Sequence, residues 1–184
     1  MRIQNRGASR RDQYGSRINR QHSMILAIGI PYSSILLGSI LPNLFIASAV
    51  PIIPPLGLMM LVAWRLVRPG ILPIWVGFPL GLLDDLLSGH PFGNAILLWS
   101  LAMIAIEAIE LRFPWRGFLQ DWLTAALVLA GYLIAAMLLS GGKISGPVVL
   151  GLIPQYLLCV LLFPIISRMV ARLDRLRLMR FKAI

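Results

Sequence analysis

Two adjacent aspartates, Asp84 and Asp85, are the side chains best suited to chemistry, because they lie in an otherwise uncharged apolar run from Ile71 to Ser88. A carboxylate inside a membrane-spanning segment is costly and needs a partner or a function. A functional interpretation is ion or proton coupling, or binding of a cationic ligand. A structural interpretation is that one carboxylate accepts hydrogen bonds from backbone N–H groups in the following turn. We favour the structural one, because the pair lies only about a turn from the end of the run.

The spacing within this run predicts a helix that packs closely on a neighbour. On a helix, Gly77, Gly81, Asp84 and Ser88 fall within about 60° of one another, and Asp85 lies on their flank. Gly77 and Gly81 have the GxxxG spacing, which lets another backbone approach. This geometry slightly favours Asp84 over Asp85 as the residue that faces the protein interior.

Three further polar residues lie in apolar runs. Glu107 and Glu110 are spaced i, i+3, and we expect them to pair across helices with arginines at the same level, since buried charges need partners. Those arginines are Arg65, Arg68, Arg112 and Arg116. Gln155, beside Pro154, is expected to hydrogen-bond another helix or to mark a small pocket at a proline kink.

Motifs for catalysis or metal binding are not recognisable in the sequence. It contains no Gly-x-Ser-x-Gly elbow, no His-Glu-x-x-His and no phosphate loop. The two histidines, His22 and His90, are expected on opposite sides of a membrane, and Cys159 is expected to be a small buried hydrophobe. We therefore predict a protein that is not an enzyme and that has no cofactor and no metal.

The composition identifies the class of protein. Of 184 residues, 58% are hydrophobic and only 13% are charged, and the mean hydropathy is +0.82. These values exclude an ordinary soluble domain and a mostly disordered chain. The net charge is +10, but the charges lie between apolar runs, which indicates membrane topology rather than nucleic-acid binding.

The apolar runs predict an all-α integral membrane protein with six transmembrane helices, since a span needs about 20 apolar residues. The predicted spans are 24–41, 44–64, 71–88, 92–110, 118–140 and 147–167. Pro42-Asn43 would form the turn between the first two; alternatively, 43–52 is an irregular interfacial segment and the second helix is shorter. Four tryptophans near span ends, Trp64, Trp75, Trp115 and Trp122, are expected to be interfacial anchors, with Trp99 as the exception.

The positive charges predict the orientation. With a cytoplasmic N-terminus, 16 of the 17 lysines and arginines lie on the inner side and only Lys143 lies outside, which is a strong positive-inside pattern. Residues 1–23 are predicted to be a basic, disordered cytoplasmic tail, and 24–170 the membrane domain. Residues 171–184 are predicted to continue the sixth helix as a basic amphipathic tail, attracted to anionic lipid rather than to a protein.

The segment Gly77–Gly93 resembles the signature of the rod-shape-determining MreD family, a pattern of Gly-Leu-Leu-x-Asp-Leu-Leu-Ser-Gly-x-x-Leu-Gly at a helix end. Asp84 occupies the variable position as an additional acid, and Phe92 replaces the usual aliphatic residue. The six-helix plan and the proline-rich entry to the second helix also fit. We assign as the structural or partner-binding motif Gly77, Gly81, Asp84, Asp85, Ser88, Gly89, Pro91 and Gly93.

The resemblance implies a role that composition does not show. MreD-like proteins are non-enzymatic parts of the bacterial elongation machinery in the inner membrane. They are expected to bind MreC, and with it to link MreB filaments to the glycan polymerase RodA and its partner penicillin-binding transpeptidase. The family fold is thought to be similar to the substrate-binding subunits of energy-coupling-factor transporters, which leaves a vitamin-type ligand-binding subunit as the alternative. The resemblance favours Asp85 for the structural role, with Asp84 secondary.

Overall fold

The computed structural model describes residues 24–45, 53–88, 92–113, 117–139 and 146–177. Within these ranges the chain forms six α-helices, as predicted, and one short 3₁₀ turn at Ile74–Val76. The helices are α1 Met24–Phe45, α2 Leu56–Val67, α3 Gly77–Ser88, α4 Asn94–Arg112, α5 Phe118–Leu139 and α6 Gly146–Arg177.

The second helix, α2, is the centre of the fold. Ten of its 12 residues are buried, and it packs against α1, α4, α5 and α6. Its sequence is apolar around almost its whole circumference, which is the pattern of a helix surrounded by other helices. Core side chains from the surrounding helices include Ile35, Met103, Leu129 and Phe163.

The second helix is shorter than the predicted span 44–64, because it begins at Leu56 after Ile53-Pro54-Pro55. A residue that precedes proline is disfavoured in the helical conformation, so the two prolines set this start. The alternative with a shorter second helix therefore fits. Most of its expected interfacial segment lies outside the described residues.

Two other predicted boundaries were wrong. The third helix begins at Gly77 rather than Ile71, since Gly70 has a φ of 92° and Pro73 precedes the 3₁₀ turn. The first helix continues to Phe45 with Pro31 and Pro42 inside it, so Pro42-Asn43 is not a turn. Proline is tolerated inside membrane helices because neighbouring groups satisfy the freed backbone carbonyl.

The lengths of the helices indicate a membrane protein. Among the described residues, α4, α5 and the Leu150–Arg177 part of α6 are each long and apolar enough to cross a bilayer. Ile28–Pro42 and α2 are shorter apolar segments. At its far end α6 passes the predicted limit at 167 and continues to Arg177, as expected for a sixth helix that extends into the basic segment.

The tryptophans divide between the core and the surface. Trp64 is fully buried and donates a 2.8 Å hydrogen bond to Ser34 Oγ, so its prediction as an interfacial anchor was wrong. Trp99 is also buried, whereas Trp75 is 68% exposed, as an anchor would be. Trp122 is half-buried and donates to the carbonyl of Val160. Trp115 lies outside the described residues.

Candidate functional site

The carboxylate of Asp85 caps the helix that follows its own. Asp85 is only 4% exposed, and its Oδ1 accepts a 2.8 Å hydrogen bond from Ala95 N. Its Oδ2 accepts from Gly93 N at 2.9 Å and from Ile96 N at 3.2 Å. The first N–H groups of a helix have no partner within the helix and favour a negative charge. Asp85 therefore supplies the cap that the N-cap residue itself, a glycine, lacks.

Two glycines bring α3 close enough for this cap. A Cβ added to Gly81 would lie 2.6 Å from Ala95 O, and one added to Gly77 would lie 2.8 Å from Trp99 O. The two backbones are therefore in direct contact, and the close packing predicted from the GxxxG spacing is confirmed, with α4 as the neighbour. Any larger side chain on this row would push the Asp85 carboxylate away from the start of α4.

The prediction that Asp84 rather than Asp85 faces the protein interior was wrong, because Asp84 is half-buried and Asp85 is buried. The physical reason is the direction in which the residues of α3 that contact α4 run along the helix surface. Gly77, Gly81 and Asp85 follow one another at i+4, and such rows are inclined to the helix axis. α4 packs along this inclined row, which moves the contact toward Asp85.

The turn between α3 and α4 contains the rest of the sequence motif. Gly93 has a φ of 96°, a conformation that glycine adopts without the steric cost that a Cβ would add. Ser88 is half-buried and its hydroxyl donates to the carbonyl of Asp84. Gly89 and Pro91 lie outside the described residues.

A second polar cluster lies at the opposite end of α4. Arg65 of α2 is buried; its guanidinium contacts the carboxylate of Glu107 and donates a 3.0 Å hydrogen bond to Glu110. It also donates to the carbonyl of Leu72 at 3.1 Å. The predicted pairing of both glutamates across helices is therefore confirmed for Arg65. Removing one partner of such a cluster leaves a buried charge unpaired, which is strongly destabilising.

Arg68 is not part of that cluster, contrary to expectation. It pairs instead with Asp174 of α6 at 3.0 Å, and Asp174 also lies 3.0 Å from Arg177. Asp174 is a functional position that was not predicted from the sequence. The available signal was that it is an isolated acid among arginines, next to apolar positions of an amphipathic helix. Arg112 is exposed, and Arg116 lies outside the described residues.

Gln155 makes a hydrogen bond to another part of the bundle, which was one of its two expected roles. Its Nε2 donates to the carbonyl of Ile53 at 2.8 Å. Ile53 precedes α2 in non-helical chain, where its carbonyl is not part of the helix. In an apolar environment such a carbonyl needs a partner from elsewhere in the protein. Gln155 thus joins α6 to the start of the central helix.

These side chains form interhelical ties, by which we mean polar side chains that satisfy a backbone group or a charge on another helix or connection. Asp85 is a tie from α3 to α4, Arg65 from α2 to α4, and Gln155 from α6 to the start of α2. Among the described residues, no group of three His, Cys, Asp or Glu side chains is arranged to hold a metal ion. Cys159 is buried in the core, as predicted.

Comparison with known proteins identifies a family. The family model for MreD, the rod shape-determining protein, matches residues 19–173, which is most of the chain. No curated protein matches the chain, and no solved structure matches it. The similarity to substrate-binding subunits of energy-coupling-factor transporters therefore stays a prediction.

Replacing the capping carboxylate should destabilise the fold. Asp85→Ala leaves three N–H groups at the start of α4 without their acceptor, so we expect a loss of about 2–4 kcal/mol in the free energy of unfolding. Asp84→Ala is the matched control, because that residue is half-buried, and its loss should be clearly smaller. Thermal unfolding in detergent micelles measures both. A loss below about 1 kcal/mol for Asp85→Ala would show that the cap contributes little.

Adding one methyl group between α3 and α4 should also be costly. In Gly81→Ala the new Cβ meets backbone atoms of α4, and overpacking of this kind costs about 1–3 kcal/mol. Gly131→Ala on α5 is the control, since an added Cβ there has no atom within 4 Å. We expect the first substitution to lower the unfolding temperature and the second to leave it unchanged or raise it. The opposite order would contradict the backbone contact.

Proposed function

We propose that this chain, which belongs to the MreD family of rod shape-determining proteins, is a non-enzymatic scaffold of the bacterial rod complex. In this proposal it binds MreC in the inner membrane and helps couple MreB filaments to peptidoglycan synthesis by RodA and a penicillin-binding transpeptidase. The observation that carries the scaffold role is the use of intramembrane polar groups as interhelical ties. Ion coupling needs groups that exchange protons or ligands, whereas Asp85 and Arg65 are held by backbone and ionic contacts.

The proposed topology has six crossings and both termini in the cytoplasm. The positive-inside distribution supports it, with 16 of 17 lysines and arginines on the inner side. The ionic contacts of Arg65 and Arg68 then lie toward the cytoplasm, and the Asp85 cap lies toward the outer face. Because α2 and α3 are short, their crossings depend on the longer helices that surround them.

The basic end of α6 is proposed to bind anionic lipid headgroups at the inner surface. Arg168, Arg172 and Arg175 are all exposed, whereas Val170 and Asp174 between them are buried. Asp174 therefore ties α6 to Arg68, the residue that follows α2, while the three arginines stay exposed. Each such arginine near an anionic surface contributes about 1 kcal/mol.

Neutralising that face should remove a lipid dependence. We expect the full-length protein to unfold at a higher temperature in phosphatidylglycerol-containing micelles than in phosphatidylcholine micelles. A variant with Arg168, Arg172 and Arg175 changed to glutamine should lose most of that difference, because its helix end lacks the charges that attract anionic headgroups. A difference that survives the substitutions would place the lipid contact elsewhere.

Recovery of partners tests the scaffold directly. The tagged protein, solubilised from native membranes in mild detergent, should co-purify with MreC and with RodA or a penicillin-binding transpeptidase. Asp85→Ala should reduce the recovered MreC at equal amounts of bait and widen the cells, whereas Gly131→Ala should change neither. Recovery of paired ATPases with a transmembrane coupling subunit would reject the scaffold in favour of vitamin uptake.

A further inference from the structure

Two prolines lie inside α6, and each removes one backbone donor from the helix. Proline has no N–H, so the carbonyl four residues before it loses the partner that a regular α-helix supplies. For Pro154 this is the carbonyl of Leu150, and for Pro164 it is the carbonyl of Val160. In a membrane helix such a carbonyl is satisfied by a group from elsewhere in the protein. A donor from another helix therefore ties that helix to α6 at the proline.

The carbonyl of Val160 has such a donor in Trp122 of α5. The indole N–H of Trp122 donates a 3.1 Å hydrogen bond to it. Trp122 is half-buried and packs against the hydrophobic core, whereas a tryptophan that only anchors a protein at the interface directs its polar group to headgroups or water. The indole therefore supplies from α5 the hydrogen bond that Pro164 removes from α6.

The part of α6 that follows Pro164, residues 165–177, continues the inward side of the preceding helix, and we call it the α6 arm. The buried positions before and after the proline are Cys159, Phe163, Ile166, Val170 and Asp174. Their intervals of three or four residues keep one side of the helix inward across the proline. The arm is held at two places, by Trp122 where it begins and by Arg68, which binds Asp174, near its end.

We propose that Trp122 is a positioning residue that sets the direction of the α6 arm. A helix kinks readily at proline, and the hydrogen bond from Trp122 holds the carbonyl at which the kink forms. The arm carries the exposed arginines Arg168, Arg172 and Arg175, so the position of this basic surface relative to the bundle is set from α5. The direction of the arm does not depend on which surface or protein the arginines contact.

The distance between two spin labels tests this role. The full-length protein, with Cys159→Ala as background, is labelled at two introduced cysteines and reconstituted in phosphatidylcholine nanodiscs, and the distance distribution is measured by double electron–electron resonance. The arm pair is Leu111→Cys at the end of α4 with Arg175→Cys. The control pair is Leu111→Cys with Leu138→Cys on α5. All three positions are exposed.

Trp122→Phe removes the indole N–H and keeps an aromatic ring. We expect it to broaden the distance distribution of the arm pair or to shift it by about 5 Å, because a change of about 20° at the kink moves the end of a helical segment of about 15 Å by that amount. The distribution of the control pair should stay the same.

Restoring the backbone donor should make the arm independent of Trp122. In the Pro164→Ala background the new N–H donates to the carbonyl of Val160, so Trp122→Phe should leave the arm pair unchanged. Pro154→Ala is the matched control, because it restores a donor to the carbonyl of Leu150 instead. In that background Trp122→Phe should still alter the arm pair.

Three results would overturn the proposal. The first is an arm pair that keeps its distribution in Trp122→Phe. The second is an equal change with and without Pro164→Ala, which would assign the effect to packing of the indole ring rather than to its hydrogen bond. The third is a change in the control pair, which would mean that Trp122 holds the bundle as a whole and not the arm.

Discussion

The fold depends on the backbone contact between α3 and α4 that places the Asp85 carboxylate on the first N–H groups of α4. Ala95 and Asp85 are buried in the protein, so these N–H groups need an acceptor from the protein itself. The i+4 row of Gly77, Gly81 and Asp85 provides both the close contact and the acceptor. The glycines let the helices touch, and the next residue of the row carries the acceptor. The hairpin is then fixed in both separation and register.

The same constraint explains the other intramembrane polar residues. Gln155 satisfies the carbonyl that precedes the central helix, and Arg65 is neutralised by two glutamates while it satisfies the carbonyl of Leu72. Each tie therefore lies where regular helix stops or where a charge would otherwise be alone. Helices joined in this way are constrained at their ends, which suits the scaffold role proposed for this member of the MreD family.

Much of this could be predicted from the sequence, because glycine spacing and charge pairing are local patterns. The GxxxG contact, the carboxylate cap and the pairing of Glu107 and Glu110 follow from residue types and helical periodicity.

The start of α2 and the passage of α1 through Pro42 could not be predicted in this way. Proline ends a helix or remains inside it according to which neighbours satisfy the freed carbonyl. The choice between Asp84 and Asp85 likewise depends on a packing angle that one helix alone does not reveal, and Asp174 gains its partner only when α6 continues past the membrane domain.

Amide hydrogen exchange at the start of α4 tests the central claim most directly. In the folded protein the N–H groups of Ala95 and Ile96 are hydrogen-bonded to Asp85 and should exchange as slowly as amides within the core helices. In Asp85→Ala they should exchange at least tenfold faster, while amides in the middle of α5 keep their rates. If Ala95 and Ile96 exchange equally slowly in both proteins, the carboxylate is not what holds the hairpin.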